Sequence, residues 1–133
     1  MKSKKIKSRA RIKKILEFYY MTNQEVMVKD LAAAIKSVES DKIEIWSELD
    51  LMEVILDDDS LIFQNAEECF INPLDLQFFE AYQIKKKYQI SFSDADGVKA
   101  KQVLEELMAD KGGFVCSDTE DFQPLYYSGA DIP

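Results

Sequence analysis

Residues 85–116 read KKKYQISFSDADGVKAKQVLEELMADKGGFVC, and they decide the fold class. Their first part alternates between polar and apolar side chains, which predicts a strand over residues 85–92. An apolar stripe at helical spacing follows, capped near Ser93 and ended by the glycine pair after Lys111, which predicts a helix. The stripe consists of Ala100, Val103, Leu104, Leu107 and Met108. A strand over residues 114–116 completes a strand–helix–strand unit, for which we expect locally parallel pairing.

Shorter patterns flank this unit. A helix is predicted from Pro73 to about Tyr82, because proline suits the first turn of a helix. Apolar runs over residues 61–63 and 69–71, separated by polar residues, predict a β-hairpin. Residues 117–133 form an acidic tail with interspersed aromatic side chains, which we expect to lie over the surface.

The N-terminal part of the chain predicts a helical hairpin. Apolar side chains recur at helical spacing up to Tyr20, which predicts an amphipathic helix. They are Ile12, Ile15, Leu16 and Tyr19. Thr22 and Glu25 fit a capping box for a second helix, which continues to Lys36 or Ser37.

The segment after the hairpin has two interpretations. Residues 43–46 alternate as a strand does, whereas the apolar positions of residues 45–56 fit a helix equally well. We expect a short strand over residues 43–46 and a helix over residues 48–56. The spacing of Ser47 and Asp50 fits a second capping box and favours this division.

The elements together predict one α+β domain that spans residues 1–133. The N-terminal helical hairpin and the further helices are expected to pack on one face of a small mixed or antiparallel sheet. With 133 residues and 47% hydrophobic side chains, the chain is large enough to bury a core.

Charge is distributed unevenly along the chain. Residues 1–14 form a basic arm that holds eight of the 17 Lys and Arg residues and no acidic residue. The rest holds nine basic residues and all 25 acidic ones, so a strongly acidic body carries a basic arm. Such asymmetry indicates charged partners rather than a particular fold.

The residue types that common catalytic sites need are scarce. The absence of histidine and the presence of only four glycines disfavour catalytic triads, histidine metal sites and phosphate-binding loops. Cys69 and Cys116 are too far apart in sequence for a Cys-x-x-Cys motif. We therefore expect no enzyme activity, cofactor or bound metal. A metal-dependent hydrolase is a weaker alternative, with ligands drawn from Asp57, Asp58, Asp59, Asp94 and Asp96.

Residues 9–35, which include the stretch RIKKILEFYYMTNQEVMVKDLAAAI, resemble the first two helices of a winged helix-turn-helix domain, over about a fifth of the chain. The resemblance implies that the next segment is a helix that enters the major groove and reads bases. Here that segment is rich in carboxylates, including Glu44 and Glu48, which DNA phosphates would repel. The same residues also fit an ordinary helical hairpin.

The acidic body and the missing catalytic residue types favour a non-catalytic protein-binding or regulatory module, such as an inhibitor or immunity protein. Displayed carboxylates steer association with cationic surfaces, so we expect a basic protein partner. The candidate contacts are Glu44, Glu48, Asp57, Asp58 and Asp59. No apolar run is long enough for a membrane helix or a signal peptide, and we expect a cytoplasmic protein.

The alternative is a protein that associates with nucleic acid through its basic arm. The basic strand around Tyr88 would add contacts to single-stranded RNA. The candidate phosphate contacts are Lys4, Lys5, Lys7, Arg9, Arg11, Lys13, Lys14, Lys85, Lys86 and Lys87. A homodimer that brings two basic arms together also remains open.

Overall fold

The structure is a computed structural model that describes residues 13–133. A seven-stranded antiparallel sheet forms its centre. The strands are β1 (Ile15–Thr22), β2 (Ile43–Trp46), β3 (Leu51–Ile55), β4 (Ser60–Asn65), β5 (Lys86–Ser93), β6 (Phe114–Ser117) and β7 (Leu125–Tyr126). Three α-helices accompany them in this part of the chain: α1 (Val28–Ala34), α2 (Pro73–Ala81) and α3 (Gly97–Lys111). The strand order is β2-β3-β4-β5-β1-β6-β7. The predicted α+β class is confirmed, with the described residues in one compact domain.

The main core lies between the sheet and helices α1 and α3. Even-numbered residues of β1 and β5 point toward these helices, and Tyr20, Tyr88 and Phe92 are almost fully buried there. Every residue of the stripe predicted for α3 is buried. The helix ends at Gly112, where the backbone turns with a φ of 69°. The prediction for this helix is confirmed.

A smaller, mostly aromatic core lies on the opposite face of the sheet. There α2 packs over β1 and β6 through Phe79, which joins Met21, Phe114 and Phe122. Helices therefore lie on both faces of the sheet, and the expectation that they cover one face is wrong. The reason is that β1 carries apolar side chains on both faces and requires cover on both.

Strand β1 occupies residues for which the sequence predicted a helix. Leu16, Phe18 and Tyr20 point to the main core, while Tyr19 and Met21 point to the aromatic core. Apolar residues on both faces of a strand also satisfy helical spacing, and aromatic side chains favour strands. The first helix of the predicted hairpin is wrong from residue 15 onward, and the resemblance to the first two helices of a winged helix-turn-helix fails with it. The part of that prediction before residue 13 lies outside the described residues.

The second helix of the predicted hairpin exists as the shorter α1, with a different cap. Thr22 is buried, and its hydroxyl donates a 2.8 Å hydrogen bond to the carbonyl oxygen of Lys111. Asp30 caps α1 instead, because its carboxylate accepts a hydrogen bond from the Met27 N–H at 2.9 Å. The residue predicted as a helix cap thus joins β1 to the end of α3.

Strand β2 has the predicted bounds, but the predicted helix over residues 48–56 is wrong. A short 3-10 turn leads to Asp50, whose φ of 49° reverses the chain into β3. Met52 and Val54 are buried, whereas the residues between and beside them are half-buried or exposed. Burial of every second residue identifies a strand. The apolar residues also fit helical spacing because those of β2 and β3 follow one another closely in the sequence.

The β-hairpin of this region also differs from the prediction. Strand β4 contains residues 61–63, but it pairs with β3 across the turn at residues 57–59. Residues 69–71 form no strand, and the predicted pairing of the two runs is wrong. The three consecutive aspartates fit a solvated turn in the sequence as well, but local spacing could not show that the strands on either side of this turn pair with each other.

The remaining elements follow their predicted positions closely, although their pairing differs. Helix α2 and strands β5 and β6 are confirmed. Strands β5 and β6 both pair antiparallel with β1, which lies between them, so the expected parallel pairing is wrong. The C-terminal tail adds β7 to the sheet and buries Phe122 and Ile132. Most residues of the segment 117–133 are exposed, in line with the expectation that it lies over the surface, but these two side chains anchor it in the core, which the sequence did not predict.

Candidate functional site

One face of strands β2, β3 and β4 is left uncovered by residues 13–133. Helices α1 and α3 pack on the reverse side, and α2 covers the part of the sheet formed by β1 and β6. The open face, as we call it, consists of Glu44, Trp46, Leu51, Glu53, Ile55, Ser60, Ile62 and Gln64. All of these side chains are half-buried or exposed.

Carboxylates and apolar side chains are interleaved on the open face. Glu44 lies opposite Glu53, and Ile62 follows in the same row. Trp46, the single tryptophan of the chain, lies opposite Leu51 in the next row and exposes 40% of its surface. Strands β2, β3 and β4 contain no Lys or Arg. The open face therefore combines accessible apolar area with negative charge.

The five predicted acidic contacts are all exposed, but they do not form one cluster. Glu44 lies on the open face, whereas Glu48 lies in the connection between β2 and β3. The aspartates of residues 57–59 form the turn at the other end of β3. The five extended residues of β3 separate the two ends by about 16 Å. Glu44 alone of the five lies on the open face with Trp46.

Asp96, at the start of α3, holds the turn at residues 57–59. Its carboxylate accepts hydrogen bonds from the N–H groups of Asp58 and Asp59, each at 2.8 Å. Ser93 adds a 2.9 Å hydrogen bond from its hydroxyl to the Asp58 carboxylate. Asp96 is almost fully buried, so its role is to fix the shape of the turn.

Two lysines lie against the same turn. Lys13 Nζ is 2.9 Å from Asp59 Oδ2 and 3.5 Å from Asp58 Oδ2, and Lys99 Nζ is 3.2 Å from Asp57 Oδ1. The hydrogen bond from Lys13 lowers the pKa of Asp59. Exposed pairs of this kind contribute little to stability. The last part of the basic arm thus contacts the acidic body of its own chain.

The aspartates of the hydrolase alternative do not converge on a metal-binding geometry. Both carboxylate oxygens of Asp96 accept backbone hydrogen bonds, and Asp94 is exposed. Within residues 13–133, no group of three His, Cys, Asp or Glu side chains is arranged to hold a metal ion.

The three lysines of the predicted RNA-binding strand have different surroundings. Lys85 is exposed, but Lys86 pairs with Asp50 at 2.6 Å and Lys87 pairs with Glu67 at 2.8 Å. The side chains of Lys86 and Lys87 are only 12% and 10% exposed, and they point to opposite faces of the sheet. They offer little free positive charge to a phosphate. Lys14 is exposed, and Lys4, Lys5, Lys7, Arg9 and Arg11 lie outside the described residues.

Asp50 is a buried structural residue that sequence reasoning missed. Its carboxylate accepts hydrogen bonds from the Tyr88 hydroxyl at 2.8 Å, the Asn65 amide at 2.7 Å and the Val28 N–H at 3.1 Å, in addition to the Lys86 pair. Burial acts to raise the pKa of Asp50, but these hydrogen bonds hold it below its usual value. The partners are remote in sequence, so no local signal marks the site.

No protein-family model, curated protein or solved structure matched the chain. Among the described residues, no helix has the length and apolar character needed to cross a bilayer.

Proposed function

We propose that this chain is a non-catalytic protein-binding or regulatory module, of the inhibitor type, that docks on a basic protein through its open face. The observation that supports this proposal is the interleaving of Trp46, Leu51 and Ile62 with Glu44 and Glu53 on strands that carry no basic residue. A partner with cationic side chains around an apolar patch would complement this face.

The two kinds of side chain serve different purposes in such an interface. Trp46 and its apolar neighbours supply the area whose burial gives affinity, and tryptophan is among the residues that most often dominate binding energy. Glu44 and Glu53 steer the approach of a basic partner and suppress binding of acidic ones. The aspartates of residues 57–59 add little to this negative charge, because Lys13 and Lys99 pair with them.

The test is capture of partners on the immobilised full chain at low and high salt. Glu44→Lys/Glu53→Lys reverses the two charges of the open face, and Glu25→Lys/Glu80→Lys makes the same change at exposed sites away from it. We expect a salt-sensitive protein to bind the wild type and the control but not the open-face variant. Equal recovery by all three proteins, or recovery of no salt-sensitive protein, would contradict the proposal.

Nucleic-acid association is a second candidate, favoured by the eight basic residues and the absence of acidic ones in residues 1–14. Its test is fluorescence anisotropy with single- and double-stranded oligonucleotides over a salt series. Removal of residues 1–12 leaves every described contact in place and should abolish binding and its salt dependence. Unchanged binding by the truncated chain would exclude this function for the arm.

A further inference from the structure

We propose that strand β2 is a docking edge, on which an extended segment of the partner adds as an eighth strand. The inference rests on the proposed function and specifies how the partner binds. The added segment would pair with the backbone of β2 while its side chains contact Glu44 and Trp46 on the open face.

The two edges of the sheet differ in how they are protected. Strand β7 has two residues and follows directly after Pro124, which cannot donate a backbone hydrogen bond. Strand β2 has four residues, pairs with β3 alone within residues 13–133, and contains no proline or lysine. Proteins commonly protect exposed edges with such residues, so β2 is the edge open to strand addition.

The side chains of β2 specify the chemistry of the added segment. A residue placed opposite Glu44 lies on the same face as Glu44 and Glu53, where a basic side chain forms favourable cross-strand pairs. Residues opposite Ile43 and Ile45 lie on the other face, where apolar side chains fit. The complementary segment therefore alternates between basic and apolar residues.

Charge also argues against self-association through this edge. Pairing with β2 of a second copy would bring another Glu44 to a strand pair that already holds Glu44 and Glu53. Like charges that lie close together across strands are destabilising. A basic segment of a partner protein is therefore the occupant that we assign to β2.

The edge is held ready for pairing by the Asp50 hydrogen bonds. They fix the left-handed turn between β2 and β3, and this turn sets the position of Trp46. Edges fixed before binding lose less conformational freedom when the partner arrives.

The test uses a capped peptide of alternating Lys and Ile residues, titrated into the full chain while Trp46 fluorescence is recorded. Two N-methylated forms of the peptide are compared. In one form, methyl groups on alternate residues block the backbone N–H groups along one edge of the extended peptide. In the other form, they block those along the opposite edge. A peptide that adds antiparallel to β2 with its Lys side chains on the open face turns one edge to β2, so we expect one form to bind at least tenfold more weakly and the other to bind like the parent. Amide exchange of β2 should slow in the complex.

Three results would overturn strand addition: equal binding of both N-methylated forms, equal binding of a scrambled peptide of the same composition, and unchanged amide exchange of β2. If Glu44→Lys/Glu53→Lys still abolishes binding in those cases, docking on the open face stands and only strand addition fails. If the peptide dimerises the chain through β2, the assigned occupant is wrong. If the charge reversal leaves partner and peptide binding unchanged, the proposed function fails as well.

Discussion

The Tyr88 hydroxyl donates a 2.8 Å hydrogen bond to Asp50 Oδ1, and so a residue of the interior strand β5 fixes the turn that leads out of the edge strand β2. Asp50 is buried, and its other oxygen accepts from Lys86 and Asn65. The position of the candidate docking edge therefore depends on polar contacts within the core.

Removal of the Asp50 carboxylate should destabilise the protein strongly. Asp50→Ala leaves the Lys86 ammonium, whose side chain is only 12% exposed, without its carboxylate partner, and the variant should lose about 3–5 kcal/mol of unfolding free energy. Asp50→Asn should lose less, because asparagine tolerates the left-handed backbone and can still accept hydrogen bonds. Urea unfolding at neutral pH measures both variants. The exposed Asp41→Ala variant is the control, and a loss below 1 kcal/mol for Asp50→Ala would contradict the prediction.

Stability should fall in acid partly through Asp50. The pKa of this group is lowered in the folded state, so its contribution is present above the unfolded value of about 3.8 and is lost as the pH falls through the lower folded value. Unfolding free energies of the wild type and Asp50→Asn, measured down to about pH 2, should converge in acid. A constant difference between the two proteins across that range would contradict the assignment.

Two glycines at the ends of α3 should respond oppositely to alanine. A Cβ on Gly113 would lie 2.1 Å from the Met21 carbonyl oxygen at a φ of 82°, so Gly113→Ala should be destabilising by more than about 2 kcal/mol. Gly97 has a helical φ of −52° and open space around its Cβ position. Gly97→Ala should be neutral or stabilising by up to about 1 kcal/mol. Thermal unfolding of both variants measures the difference in stability. Similar effects of the two substitutions would contradict the prediction.

The two cysteines should differ in reactivity. Burial, reinforced by the nearby Asp118 charge, raises the pKa of Cys116 to about 12, whereas Cys69 is exposed. A thiol reagent at about pH 8 should therefore modify one thiol quickly in the native protein and two after denaturation. Cys69→Ser should remove the fast reaction. Two fast thiols in the native wild type would show that Cys116 is accessible.

The elements predicted correctly are those whose residues form one clear pattern. The stripe of α3 and the alternation of β5 each bury a single face in the main core, so local spacing suffices to identify them. Strand β1 is apolar on both faces, because it lies inside the sheet with helices on either side. That arrangement depends on residues far along the chain, and local spacing could not distinguish it from a helix.

The candidate site was predictable in composition but not in arrangement. The acidic excess indicated a basic partner, and Glu44 was among the expected contacts. The misassignment of β3 as a helix concealed the pairing of Glu44 with Glu53 and of Trp46 with Leu51. The ion pairs of Lys86 and Lys87 arise from long-range contacts, so the sequence could not show that these charges are already neutralised.

The interior position of β1 bears on how the protein is made. Ile15 pairs with Ser93 and Met21 pairs with Phe114, so β1 leaves the ribosome well before either of its neighbours. At 5–20 residues per second, the wait for β6 is about 5–20 s. Until β5 has been synthesised, Phe18 and Tyr20 have no sheet to enter and are available to chaperones or to other nascent chains. The strand synthesised before all others in the described chain is thus among the last to be enclosed on both sides by its neighbours.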